Sequence, residues 1–434
     1  MSSEAININP SVPKTSDRDF IKTQKRVLSK RGVLWLGQTC NLRCYFCYFL
    51  NRIASTEHPE HAFMTLEKAK EICYTLRNHY GDTSIDIQGG EPTIHPEILE
   101  LISYCHEIGL YPTLITNGQV LADIDKLQKF KDAGVRDFLV SLHGIDDLHD
   151  EVVVRKGAYK KIIQALENMV ALDVPFRLNC TMSKPVIPIL FEIAQKAIDY
   201  RAEAVNFIAF NPFEDQETGI RTHDNVPTYA DTKVSLNQAM DMLEDANIEC
   251  NVRYLPLCMA EEKHRKNFYN FQQLPYDHHE WNYASWMWTG MQPQRMKGSE
   301  LNQPYKLGKM ARRLYRTDPQ ELLKREKESP LKKTLLYTFQ SIVAGVGDMI
   351  RGKEYWYRRE AKLRAIQDLQ YEHHEKCQEC SLREICDGFH GDYAKFYGTD
   401  EATPVTDIPL VNDPLYYIKH QDKVVEEEDK AWAL

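Results

Sequence analysis

Three cysteines sit close together in the stretch from Gly37 to Leu50, with Cys40, Cys44 and Cys47 at C-x3-C-x2-C spacing. Thiolates are soft ligands. Three of them on one loop can hold three irons of a four-iron cluster and leave the fourth iron without a protein ligand. Such an open position accepts an external ligand, so the spacing suits chemistry better than scaffolding. A structural zinc site is the competing reading, but closed zinc sites use four ligands, commonly as two C-x2-C pairs. No further Cys or His lies within ten residues of Cys47. The cysteines alone leave both readings open. A second stretch, Gly89-Gly90-Glu91-Pro92, follows the strand-like Ile85-Asp86-Ile87.

C-x3-C-x2-C followed by G-G-E-P resembles the radical S-adenosylmethionine superfamily, over about residues 30 to 230. The resemblance implies a [4Fe–4S] cluster on Cys40, Cys44 and Cys47, with the methionyl amino and carboxylate groups of S-adenosylmethionine on the open iron. It implies reductive cleavage of the sulfonium to a 5′-deoxyadenosyl radical, which abstracts hydrogen from a substrate, and an electron donor such as flavodoxin or ferredoxin. Cofactor contacts carry over residue by residue. Gly89, Gly90 and Glu91, with Pro92 completing the motif, would approach the methionyl amino group, and Phe46 would contact adenine. Ser141, in Ser141-Leu142-His143-Gly144, would reach ribose or carboxylate, and Arg155 would lie near the carboxylate. His143 stands where relatives often carry Asp. Asn117 is a further candidate cofactor contact; like Asn179 and Asn211 it falls at a strand end, where plain turn chemistry accounts for it equally well.

These residues need a scaffold that delivers strand ends to one place. From Gly32 the chain alternates strand and helix. Val33–Leu36, Ile85–Ile87, Thr113–Ile115, Asp137–Leu142, Phe176–Thr181 and Val205–Phe210 read as strands. Helices are expected near Thr65–Tyr80, Pro96–Ile108, Asp123–Ala133, Ala158–Leu172 and Ile189–Tyr200, from apolar positions at intervals of three and four such as Leu66, Ala69, Ile72 and Leu76. Six such units predict an α/β fold with parallel strands curved into a partial (β/α)6 barrel, which the resemblance also implies. Chemistry in such barrels gathers at the C-terminal strand ends. A helix near Thr232–Asp245 and a strand near Glu249–Tyr254 follow and lead to Cys258.

Cys377, Cys380 and Cys386 form C-x2-C-x5-C, followed by His390. This resembles the auxiliary-cluster domain called SPASM, or its shortened Twitch form, with His390 where a fourth cysteine is usual. The resemblance implies a second, auxiliary [4Fe–4S] cluster on Cys258, Cys377, Cys380 and Cys386, and structural zinc is the alternative. Cys73, Cys105, Cys180 and Cys250 read as buried free thiols. The expected organisation is an N-terminal arm over 1–31, a barrel over 32–255, an aromatic and basic insert over 256–376, and a Cys-rich module with a tail over 377–434.

The insert should define the substrate. Residues 268–290 hold eight aromatics in 23 positions, among them Trp281, Trp286 and Trp288, with His278 and His279 beside them. They form either a lid that stacks on sugar or polyprenyl groups or a loop held to the barrel by its own rings. Residues 295–370 carry 18 Lys and Arg against 9 Asp and Glu, a local +9 in a chain of net −9. Within them Leu331, Leu335, Phe339, Ile342, Val346 and Met349 trace one helical face, flanked by Lys332, Lys333, Arg351 and Lys353 and followed by Tyr355-Trp356-Tyr357. That pattern fits a helix lying in a membrane interface, or one packed on the barrel.

At 43% hydrophobic and 27% charged residues, the composition is that of a soluble globular protein. No apolar run of about 20 residues spans a bilayer. The start lacks a basic-then-apolar leader, so the expected location is the cytoplasm, with peripheral membrane contact through the insert. Eleven cysteines then point to metal ligation and buried thiols rather than disulfides. With about 30 residues before the barrel, a cobalamin-dependent methylase is not expected, and neither is a nucleic-acid partner. The leading expectation is modification of a small or lipid- or sugar-linked substrate by oxidation, epimerisation or rearrangement. A maturase of ribosomally made peptides is the alternative. A non-catalytic iron–sulfur or zinc protein is the third reading, disfavoured by retention of all three loop cysteines and Glu91.

Overall fold

Eight parallel strands in sequential order build the centre of the molecule. The computed structural model describes residues 22–23, 31–47, 62–80, 82–211, 221–269, 331, 346, 350, 370–413 and 416–424. The Trp-rich stretch from residue 270, most of the apolar stripe from 331 to 350, and the acidic tail lie outside them.

A two-residue strand β1 (Lys22–Thr23) precedes the sheet. The sheet itself runs β2 (Arg31–Trp35), β3 (Ser84–Gln88), β4 (Tyr111–Thr116), β5 (Asp137–Ser141), β6 (Phe176–Met182), β7 (Ala204–Ala209), β8 (Glu249–Arg253) and β9 (Phe268–Tyr269). Every neighbouring pair in it is parallel. The six expected units are present as a partial barrel, and β8 and β9 extend the sheet by two strands. β9 falls inside the aromatic stretch, where ring density hid a pairing of only two residues.

Helices cover the outer face because their apolar stripes match the outward strand positions. In Leu66–Thr75, Leu66, Ala69, Ile72 and Cys73 are buried, and Thr65 caps the start by accepting from the Lys68 amide at 3.4 Å. The helix expected to reach Tyr80 gives way to a wider π turn over Leu76–Tyr80. The helix Tyr229–Asp245 begins three residues before its expected start, because Thr228 and Asp231 form a reciprocal capping box. A short helix at Asp146–Val152 had no periodic signal.

The strands' inner positions carry charge at their N-terminal ends. Arg31 pairs with Asp86 at 3.1 Å and Arg177 with Asp137 at 2.7 Å, while Thr113 donates to Asp137. Lys423 reaches Glu249 at 2.6 Å and the Asn251 carbonyl at 3.0 Å, and its strand β10 (Lys423–Val424) pairs antiparallel with β1. The Cys-rich module packs on the helix Tyr229–Asp245 through the Tyr229 and Tyr393 rings, stacked 3.6 Å apart between centroids. The Tyr229 amide donates to Tyr393 Oη at 2.8 Å, and that hydroxyl donates to Glu401 at 2.7 Å.

Candidate active site

The cysteine loop leaves β2 and immediately lies against the loop that leaves β3. Gly90 N donates to Gly37 O and Glu91 N to Thr39 O, both at 2.8 Å, so the two loops continue the sheet as extra rungs. Glycine at 90 follows from this contact: a Cβ there would stand 2.1 Å from the Thr39 carbonyl oxygen. The close neighbour that excludes a side chain is therefore the chain's own cysteine loop.

Other contacts fix the loop's far side. Arg43 N and Tyr45 N donate to the carbonyls of Val153 and Val152, both at 3.2 Å, so the unanticipated helix Asp146–Val152 anchors the cysteines. Arg155 donates to the Asn41 carbonyl at 2.7 Å, a contact with the loop backbone. Arg221 donates to the Phe46 carbonyl at 2.7 Å and to the Asn211 carbonyl, and its guanidinium lies 4.4 Å over the Phe210 ring. Nothing in the sequence around Arg221 signals this role, since its partners are 10 and 175 residues away.

The thiols fit a metal cluster. Burial, with the charge of Glu91 and Cys47, pushes the Cys40 thiol up to about 11, and burial with Cys47 and Cys40 pushes Cys44 higher still. Thiols buried in this way ionise readily only with a cation among them. Leu42 N donates to Cys40 Sγ at 3.4 Å, and Asn117 Nδ2 approaches the same sulfur at 3.8 Å, as donors to a thiolate would. Among the described residues no three His, Cys, Asp or Glu side chains converge on one ion position. Thiols on a four-iron cluster bind separate irons and need not share one ion's shell.

Glu91 is buried and accepts from the chain itself. Oε1 takes Thr93 N at 3.1 Å, Thr93 Oγ1 at 2.5 Å and Thr116 Oγ1 at 2.7 Å, and Oε2 takes Asn117 N at 2.7 Å. Burial raises its pKa, against the pull of these donors. The carboxylate clamps the ends of β3 and β4 beside the cysteines. Asn117 is more than a turn residue: Nδ2 donates to Asn41 Oδ1 at 2.7 Å, linking β4 to the cysteine loop.

On β5, Ser141 stands at the strand end and faces Asn179 in register; Asn206 and Asn251 continue that row across β7 and β8. The Phe46 ring meets His143 edge-on at 4.7 Å and Phe210 at 6.0 Å. His143 Nδ1 accepts from Thr181 N at 3.1 Å. Burial, with His149 adjacent, lowers its pKa to about 3, so the ring is neutral and Nε2 carries the proton. Asn211 accepts from Tyr229 Oη at 2.7 Å, a structural bond to the helix that carries the Cys-rich module.

Cys258, Cys377, Cys380 and Cys386 line a single pocket together with Leu257, Phe389 and Val405. Burial and then Cys377 and Cys380 raise the Cys258 thiol; burial and then Cys258 raise Cys386. The pocket thus brings Cys258 to the other three thiols. His390 does not line the pocket: its Nδ1 accepts from Asp392 N at 3.3 Å, capping the helix Gly391–Tyr397. Cys73 and Cys105 are buried with sulfurs 3.5 Å apart, and Cys180 and Cys250 are buried as well.

Residues 36–188 match the domain described as Radical SAM superfamily. An AdoMet-dependent heme synthase from Methanosarcina barkeri is 27% identical over 231 residues, which cover 52% of this chain and 62% of that protein. A probable GTP 3′,8-cyclase from Sulfolobus acidocaldarius is 24% identical over 50% of this chain and 67% of its own length. A PqqA peptide cyclase from Bradyrhizobium diazoefficiens is 27% identical over 39% of this chain and 44% of its own. The matches thus span about half to two thirds of these relatives. Among solved structures, Streptococcus suis SuiB bound to S-adenosylmethionine aligns with a TM-score of 0.43 at 19% identity, over 52% of this chain and 51% of that one.

Proposed function

The chain belongs to the radical SAM superfamily, and from that premise we propose an enzyme that removes a hydrogen atom from a small or lipid- or sugar-linked substrate. When bound, a [4Fe–4S] cluster with S-adenosylmethionine supplies reductive cleavage of the sulfonium and a hydrogen-abstracting 5′-deoxyadenosyl radical. The observation that carries the reading is the direct backbone pairing of the cysteine loop with the Gly89–Pro92 loop. Cys40, Cys44 and Cys47 would hold the cluster. Gly89, Gly90, Glu91, Pro92 and Asn117 shape the wall beside it, and Phe46, Ser141 and Arg155 line the approach. The Phe46 ring packs edge to face against both His143 and Phe210 at the strand ends.

The test is anaerobic reconstitution with iron and sulfide, reduction, and measurement of 5′-deoxyadenosine and methionine without added substrate. Wild type is expected to form both, and Cys40→Ala/Cys44→Ala/Cys47→Ala neither; no product from wild type overturns the reading. We propose that Cys258, Cys377, Cys380 and Cys386 hold an auxiliary cluster, so the triple variant should retain about four irons. Zinc in place of iron there would make the pocket a structural site. Because burial holds Cys40 near 11, loading must displace thiol protons, and iron uptake should fall as pH falls.

A peptide substrate is the second reading, supported by the likeness to the peptide cyclase together with the four-thiol pocket. Among the described residues no helix is long and apolar enough to cross a membrane. Lipid linkage instead predicts peripheral binding through the basic stripe, where Leu331 is 72% and Val346 48% exposed. Wild type should sediment with anionic but not neutral liposomes, since each Lys or Arg near an anionic surface contributes about 1 kcal/mol. Phe339→Glu/Ile342→Glu should abolish this. Indifference to lipid charge and to the double substitution, with the fold intact, would remove the support for a lipid-linked substrate.

A further inference from the structure

The sheet's inner face carries cations that are paired, with one exception among the described residues. Arg31 and Arg177 pair with Asp86 and Asp137, and Lys423 pairs with Glu249. Arg253 is the last residue of β8 and 9% exposed, yet no described residue hydrogen-bonds or ion-pairs with its guanidinium. Strand alternation puts it on the same face as Asn251 and Glu249, whose side chains meet Asn206 and Lys423 inside the barrel. Its register partners are Ile208 and Tyr269, and Ile208 in turn faces Thr181. Arg253 therefore stands one layer above the row Ser141, Asn179, Asn206 and Asn251, at the strand end where barrel chemistry gathers. In that row Asn179 Oδ1 is buried without a hydrogen-bond partner among the described residues.

A guanidinium cannot shed its proton, and withdrawing it from water is costly unless an anion meets it. The fold meets that need for Arg31, Arg177 and Lys423, and no described residue meets it at Arg253. We propose that Arg253 is a substrate-recognition residue that receives a carboxylate or phosphate group, with the Asn179 carbonyl accepting from a hydroxyl or amine of the same molecule. This rests on the reading of the chain as an enzyme with a separate substrate. The candidate cofactor contacts lie at the ends of β2 to β5, whereas Arg253 closes β8, the seventh strand of the sheet. An anion at Arg253 thus belongs to the molecule on the other flank. Arg is suited to the task because its planar fork matches both oxyanion groups bidentately.

The experiment is calorimetric titration of the reconstituted, full-length protein with S-adenosylmethionine present, using inorganic phosphate, succinate and, as a cationic control, choline. Wild type should bind phosphate or succinate and not choline. Arg253→Gln should weaken that binding roughly tenfold or more, and Arg253→Lys, which keeps the charge, should recover part of it. S-adenosylmethionine affinity should stay within about threefold of wild type in both variants. Preference for phosphate assigns a phosphorylated substrate, and preference for succinate a carboxylated one. Failure of either anion to bind wild type, or equal binding by wild type and Arg253→Gln, overturns the assignment. If Arg253→Gln does not fold, the same comparison with Arg253→Lys decides, because loss of the bidentate fork must still weaken binding. Loss of S-adenosylmethionine affinity in step with anion binding also overturns it, since the anion would then be the cofactor's own carboxylate. Anion binding is read without radical chemistry, so absence of 5′-deoxyadenosine would overturn the enzymatic reading and leave this result standing.

Discussion

Gly90→Ala is expected to abolish most S-adenosylmethionine cleavage while leaving the barrel folded. The added Cβ would lie 2.1 Å from the Thr39 carbonyl oxygen, 2.4 Å from its carbon and 2.6 Å from the Gln38 carbonyl oxygen. All three are backbone atoms, so no side chain can swing away. The loops must part, which breaks the bonds from Gly90 N to Gly37 O and from Glu91 N to Thr39 O. A displacement of about 1 Å at a reacting centre costs on the order of a hundredfold in rate. The check is 5′-deoxyadenosine formation by Gly90→Ala, with circular dichroism showing a retained fold and iron analysis showing cluster content. Activity within a few fold of wild type would mean that the two loops are not coupled as described.

Asp137→Ala should be the most destabilising single change in the barrel floor. Asp137 is 1% exposed, lies 2.7 Å from Arg177 and 4.0 Å from Arg136, and accepts from Thr113. The contact with Arg177 is a close ion pair rather than an aligned hydrogen bond. Removing the carboxylate leaves buried guanidinium groups facing one another, which costs about 3–5 kcal/mol. Urea unfolding of Asp137→Ala against wild type measures this, and a change under 1 kcal/mol would contradict it. The arginines hold the Asp137 carboxyl below its ordinary 3.8. A group with a depressed folded pKa stabilises above its unfolded pKa, and that contribution is lost as pH falls through the folded value. The difference between wild type and Asp137→Ala should therefore be constant above about pH 4 and shrink below it.

Elements with strong local signals were legible in the chain. Alternating strands and helices, with turn residues between them, gave the first six strands of the eight-stranded sheet, β2 to β7, within one or two residues. The cysteine spacing and Gly89–Pro92 identified the loops that meet at the strand ends. What stayed hidden was pairing at long range. Phe268–Tyr269 reads as two rings in an aromatic run, and only the edge of β8 makes it a strand. Arg31, Asp86, Asp137 and Arg177 each look like an isolated charge in an apolar strand until the register stacks them. Asp146–Val152 is too short to show a period, yet its end holds Arg43 and Tyr45. Glu91 was legible as a functional carboxylate. That its oxygens serve Thr93, Thr116 and Asn117 was not, because Thr116 and Asn117 come from the next strand.

The rungs that join Gly37 and Thr39 to Gly90 and Glu91 also bear on how the site comes into being. Segments open to solvent in cooperative units, and a loop bonded into a sheet opens with that sheet rather than alone. The first half of the cysteine loop therefore shares the opening free energy of β2 and β3, whether or not metal is present. Chain ordering there is completed by folding of the sheet and is not left for metal to drive. Incoming iron meets a preset template in which Cys40 follows directly on the last rung. For that half of the loop, metal loading is then a ligand-exchange step on a finished scaffold, not a coupled folding event.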